Sequence, residues 1–209
     1  MVILNIGIYI LILSIILILF EIYQYFKGRD VNVKYINDSM KFLENKFRPV
    51  SKEYDIIGPY IGFRARYVRD EEPRDVLISF LTLPRCSLLY YLVSKIFGKG
   101  DRVMMILGYS KDVNRGEVHV CDVKFSMKIL EDSDKNFNRE VLDNGKVLLY
   151  DDYETSRIFY QIFNNCRLPI RHVAYDPNSR CIYLYSHFSN IEEFYRIVDI
   201  VFELAKRLA

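Results

Sequence analysis

Val2 to Phe20 is apolar apart from Asn5 and Ser14, and no charged side chain occurs before Glu21. A bilayer core takes roughly 20 apolar residues of helix to cross, at about 1.5 Å of rise each, so this run is predicted to be a transmembrane helix. Ile22, Tyr23, Tyr25 and Phe26 extend it to the interface, where an aromatic belt belongs. Lipid contact is expected through residues 2–26, with residues 1–27 as the anchor and residues 28–209 as one further domain. A cleaved secretory signal fits less well. Such a signal carries a positive n-region, a short apolar core and a small-residue cleavage site, and Glu21-Ile22-Tyr23-Gln24 offers none.

Lys27, Arg29 and Lys34 follow the apolar run, and no Lys or Arg precedes it. The positive-inside rule then predicts a single-pass protein of the cell membrane with its C-terminal domain in the cytoplasm. On that side Asn37-Asp38-Ser39 is not a glycosylation acceptor, although it has the acceptor spacing.

About 180 residues remain after the anchor, the usual length of one domain. With 51% hydrophobic and 15% aromatic residues, the chain can build a sizeable core. A net charge of +2 argues against bulk nucleic-acid binding, and no DNA partner is expected. Cys86, Cys121, Cys166 and Cys181 are widely spaced and lack a C-x-x-C, which reads as reduced thiols behaving as small hydrophobes.

Periodicity assigns the elements. Val33, Ile36, Met40, Leu43 and Phe47 form one stripe on a helix that Pro49 stops. Ile61 to Tyr67 alternates as a half-buried strand, and Val76 to Leu83 is its more buried partner. Ser87–Phe97 is predicted helical with Gly98 as its C-terminal cap, and Val103–Tyr109 is predicted to be a strand. Cys121 to Ile129 alternates like a strand, although its second half also suits a helix. Glu131–Glu140 reads as polar loop, and Asp143-Asn144-Gly145 as a tight turn before Val147–Tyr150. Tyr153–Cys166 reads as a helix, Ile170–Tyr175 and Cys181–Ser186 as a hairpin, and the last stretch as a helix capped by Ser189 and Glu192. Hairpins joined by helices give an α+β domain of antiparallel sheet with helices packed on it.

Candidate chemistry is sparse. His119-x-Cys121 lacks the short paired spacings of a zinc site, and no metal or cofactor is expected. No G-x-S-x-G, H-E-x-x-H or Walker sequence occurs, and Gly98-Lys99-Gly100 follows a helix where a phosphate loop would open one. Asp132, Asp134, Asn136, Asn138, Glu140 and Asp143 match the spacing of a calcium loop, but Phe137 stands where that loop needs glycine. A solvated polar loop is the better reading. Arg64 and Arg66, with Arg69 at the end of their strand, and Lys95, Lys99 and Arg102 around the following helix form the candidate binding set. Such cations suit lipid headgroup or RNA phosphates near a membrane. Asp70, Glu71, Glu72 and Asp101 alongside also suit an ordinary charged face.

The order of these elements carries a resemblance. One membrane helix leads into Asn32-Val33-Lys34-Tyr35 and the stripe Met40, Leu43, Phe47, followed by the strand Gly62–Tyr67, the helix Leu88–Phe97 and the strand from Val103. This resembles the calumin family of single-pass proteins, over most of residues 30–209 and without a diagnostic motif. The resemblance implies a cytosolic domain serving multipass membrane-protein biogenesis beside the ribosome and translocon. That family's long acidic N-terminal region and basic C-terminal coiled coil have no counterpart here, which leaves a ribosome contact without its usual element. The expectation is a membrane-anchored, non-enzymatic binding or scaffold protein. The alternative is a membrane-tethered enzyme or ligand sensor, which a deep pocket of converging polar groups would favour.

Overall fold

The computed structural model describes residues 2–111, 113–132 and 136–209, with the side chains of residues 2–6 and 132 left undescribed. Its first element is a single α-helix, α1 (Val2–Phe47). The candidate membrane span and the Val33–Phe47 stripe are therefore one continuous rod, and the boundary expected at residues 27/28 falls inside it. Ser14 donates to the Ile10 carbonyl at 2.8 Å, which removes the cost of its hydroxyl in an apolar helix. Residues 8–23 are all exposed, and α1 is long and apolar enough to cross a membrane.

From Gly28 onward α1 turns one stripe inward. Gly28, Asn32, Ile36, Ser39, Leu43 and Phe47 are buried, at steps of four or three. The expected stripe members Val33 and Met40 are only half-buried, so two polar residues take places assigned to apolar ones. Arg69 closes the rod. Its Nε donates to the Phe47 carbonyl at 2.7 Å, and its guanidinium lies 4.9 Å from the Phe202 ring centre. A cation at the carbonyl end of a helix is favourably placed.

The rest is one nine-stranded antiparallel sheet with helices. The strands are β1 (Ser51–Gly58), β2 (Gly62–Val68), β3 (Asp75–Leu81), β4 (Asp101–Gly108), β5 (Val118–Cys121), β6 (Asn138–Val141), β7 (Val147–Tyr150), β8 (Ile170–Asp176) and β9 (Cys181–Phe188). Their order across the sheet is β1-β2-β3-β4-β9-β8-β5-β7-β6. The helices are α2 (Leu88–Ile96), α3 (Val123–Asp132), α4 (Tyr153–Phe163) and α5 (Ile191–Leu208).

One sheet face carries the core. Phe63, Tyr67, Phe80, Met105, Leu107, Ile182 and Leu184 are fully buried there with Phe47 of α1, Phe159 of α4 and the α5 residues Phe194, Val198 and Val201. Burying each large side chain contributes about 1.5–3 kcal/mol, so this layer dominates stability. Tyr109 fixes the end of α5 by donating to the Ala205 carbonyl at 2.8 Å.

Three expectations need correction. Ser51–Gly58 is an edge strand where none was expected. Residues 123–132 are helix, with Ser126 N and Phe125 N donating to the Asp122 carbonyl, so the strand reading ends at Cys121. The polar loop 131–140 contains the start of β6. The cap of α5 also moves by one residue. Asn190 accepts from Glu193 N at 2.9 Å, and Glu193 reaches back to Ser189 N at 2.7 Å.

Candidate functional site

Two features stand out, one at each side of the sheet. The first is a polar knot where α1 meets the loop leading into α2. Asn32, fully buried, donates through Nδ2 to the carbonyls of Tyr60 (2.8 Å) and Leu83 (2.9 Å). Its Oδ1 accepts from Arg85 Nη1 at 2.9 Å. Arg85 also bonds both carboxylate oxygens of Asp101, which accepts from Leu83 N at 2.6 Å as well. The guanidinium lies 5.0 Å from the Tyr35 ring centre. The Asn32 amide, both Asp101 oxygens and both terminal nitrogens of Arg85 all have partners, which is the condition for keeping an ion pair inside a fold.

Gly28 lets α1 and the loop before α2 come together. A Cβ there would stand 2.1 Å from the Arg85 carbonyl oxygen, so only glycine admits the α2 loop at this distance. Gln24 then donates to that carbonyl at 3.0 Å, and Glu21 accepts from Leu88 N at 3.2 Å. The carboxylate at the amino end of α2 complements its dipole. Glycine in αL conformation, with φ +62° at Gly98, ends α2 as expected, and Lys99 N closes the turn on the Ser94 carbonyl at 2.9 Å.

The second feature is the sheet face opposite the core. Strand register brings Glu53, Arg66, Leu77, Ile106, Tyr183, Ala174 and His119 into one row across the sheet. Beside it runs a row of Asp55, Arg64, Ser79, Met104, Tyr185 and His172. Side chains two apart along a strand share a face, so these rows form one surface. Helix α3 covers its β8–β5 end, where the Phe125 ring stacks on His172 at 6.1 Å and meets Tyr185 edge-on at 6.5 Å. The β1–β4 end is uncovered. There Leu77, Met104 and Ile106 are exposed, and a shallow cavity of about 310 Å³ lies over them, edged by Arg64, Arg66, Glu53, Asp55 and Tyr183.

Its charges are loosely held. Arg64 stands 3.8 Å from Asp55 and Arg66 stands 3.6 Å from Asp75, all four well exposed. Exposed pairs of this kind contribute little to stability, so they are free to exchange partners. Under α3 the chemistry is different. His119 Nδ1 and His172 Nε2 are 3.1 Å apart, and His119 Nε2 is 3.0 Å from Glu117. Burial, and secondarily the neighbouring His119, push the His172 pKa down to about 4. Burial also lowers that of His187, with Arg171 and Arg102 adding to the effect, and His187 Nε2 is 2.8 Å from the Tyr185 hydroxyl.

The structure divides the expected basic set. Arg64 and Arg66 project from β2 onto the open face, and Arg102, half-buried, lies on the same face two strands away. Lys95 and Lys99 belong to the last turn of α2 and the loop after it, at the knot side. Arg69 is withdrawn from the surface altogether by its bond to α1. Of the calcium-loop set, Asp134 lies outside the described residues, and Asp143 is taken up by Asn164, which donates to its carboxylate at 2.7 Å. Cys86, Cys121, Cys166 and Cys181 are free thiols, with Cys121 buried and its pKa pushed up to about 12 by burial first and the Asp122 charge second. No protein-family model matches the chain, and no curated protein matches it in sequence.

Proposed function

We propose that this chain is a membrane-anchored, non-enzymatic binding protein. In this reading α1 crosses the bilayer with the sheet domain on the cytoplasmic side, and the open sheet face receives a protein partner. The uncovered apolar floor of Leu77, Met104 and Ile106 between exchangeable arginines and carboxylates carries the reading. Such a floor suits an extended apolar segment with charged flanks. The cavity is shallow and open, unlike the deep pocket that a small substrate needs.

Retention of the anchor is supported by the continuity of α1. Residues 21–28 are helical, Glu21 and Gln24 are hydrogen-bonded to Leu88 and Arg85, and Gly28 lies against the Arg85 carbonyl, which leaves no extended segment for a signal peptidase. Lys27, Arg29 and Lys34 support the cytoplasmic orientation. A membrane-protein segment awaiting insertion has the chemistry of the proposed occupant, and the resemblance to the calumin family supports the same role beside the translocon or ribosome.

The test is a photo-crosslinking amino acid placed at Ile106 in native membranes, with Arg196 on the solvent side of α5 as the control position. A membrane-protein adduct at 106 that disappears with Leu77→Asp, and is absent at 196, is the expected result. Labelling of lipid or water alone at 106 overturns the reading.

A further inference from the structure

Helix α2 is built inside out. Leu89, Tyr90, Leu92, Val93, Ile96 and Phe97 are all exposed, Ile96 by 81% and Phe97 by 72%. At 100° per residue they fall within one arc of about 160°. The opposite side, with Leu88, Tyr91 and Ser94, is the side turned to the protein. A water-soluble domain leaves no such apolar arc uncovered, and among the described residues no element covers this one.

Its position identifies the cover. Leu88 N bonds to Glu21, the residue at which the apolar run of α1 ends, so α2 starts at the depth where a spanning helix leaves the hydrocarbon. The 19 residues 2–20 of that run reach about 28 Å as helix, the thickness of a bilayer core. Lys95 in the last turn of α2, off the apolar arc, and Lys99 just beyond the helix are both exposed, and their long stems let the ammonium groups reach headgroup phosphates. At the same rim Tyr60 packs edge-on against Tyr25 of α1, and Ile57 and Ile61 are exposed beside it.

We infer that α2 lies in the headgroup–acyl boundary of the same leaflet from which α1 emerges. It is then a second membrane contact, distinct from the span, that fixes the domain against the bilayer surface. The inference rests on α1 crossing the bilayer, as proposed above.

The chain has no tryptophan, so single Trp reporters can be read without background. The purified full-length protein is reconstituted in phosphatidylcholine–phosphatidylglycerol vesicles as Phe97→Trp, Ile12→Trp or Arg196→Trp. Lipids brominated near the carbonyl or near the chain end serve as quenchers. Phe97→Trp is expected to emit blue-shifted from Arg196→Trp and to lose intensity with the shallow quencher. Ile12→Trp is expected to lose intensity with the deep one. Water-like, unquenched emission from Phe97→Trp while Ile12→Trp is quenched overturns the α2 contact and leaves the span standing. Blue-shifted emission without lipid quenching overturns it in favour of a protein covering α2. If Ile12→Trp escapes quenching the span itself is refuted, and the α2 contact falls with it.

Discussion

Arg85 and Asp101 meet end to end, Nη1 on Oδ1 at 2.8 Å and Nη2 on Oδ2 at 2.6 Å, with the Asp101 side chain wholly buried. This pair fastens the loop before α2 to the first residue of β4, and Asn32 ties Arg85 to α1. Breaking one side leaves a charge with no counter-ion in the interior. Asp101→Ala is therefore expected to cost about 3–5 kcal/mol. Arg85→Met combined with Asp101→Ala should cost less than Asp101→Ala alone. Urea unfolding followed by circular dichroism measures both, and a double variant worse than the single one refutes the account.

Gly28 and Gly7 lie on the same helix and should respond in opposite ways. Alanine at 28 drives a methyl into the Arg85 carbonyl, with overpacking costs of about 1–3 kcal/mol. Alanine at 7 meets nothing within 4 Å and should leave thermal stability unchanged. Equal melting temperatures for the two variants would show that α2 does not press on α1.

Asp152 caps α4, accepting from Thr155 N at 2.9 Å and Glu154 N at 3.4 Å. Asp152→Ala should destabilise the domain by about 0.5–2 kcal/mol, and Asp152→Asn by much less. The Thr155 hydroxyl, which donates to the same carboxylate, holds the Asp152 pKa below its usual value, and backbone donors add to this. That contribution is present above the pKa of an unfolded aspartate and lost as pH falls through the folded value.

Stability should also fall on mild acidification, for a different reason. The pKa of His172 is about 4 in the fold against 6.5 for the free side chain. Between those values the unfolded chain takes up a proton that the native state refuses. The domain is therefore fully stable above about pH 6.5 and loses on the order of 3 kcal/mol on descending to about pH 4. His172→Phe, which can keep the stack with Phe125, should flatten the profile of unfolding free energy over that window. An unchanged slope in this variant rules out His172 as the source.

The membrane-length helix, the hairpin β8–β9 and the antiparallel α+β plan were all legible in the sequence, because length and strict alternation report directly on burial. Ser51–Gly58 was not, since an edge strand exposed at Glu53, Asp55, Ile56 and Ile57 shows no buried period, and only pairing with β2 defines it. Val123–Asp132 satisfied two periods at once. The open face was hidden for a further reason. Glu53, Arg66, Leu77, Ile106 and Tyr183 come from five strands, and only the register aligns them. Arg64 and Lys99 suggested one patch by composition, and the fold sends them to different places. Asn32 was no candidate in the sequence, although its four-residue spacing from Gly28 and Ile36 was the available sign that it faces inward.

The continuity of α1 has a mechanical consequence. A helix without a hinge between Phe20 and Phe47 is a rigid rod, and its 27 residues of rise separate the end of the apolar run from the core-bound Phe47 by about 40 Å. With Leu43 and Phe47 locked in the core, the domain cannot swivel on a tether. On the proposed span, whatever tilts the helix in the bilayer must swing the whole sheet with it, so the angle of the open face to the membrane would follow the tilt of α1.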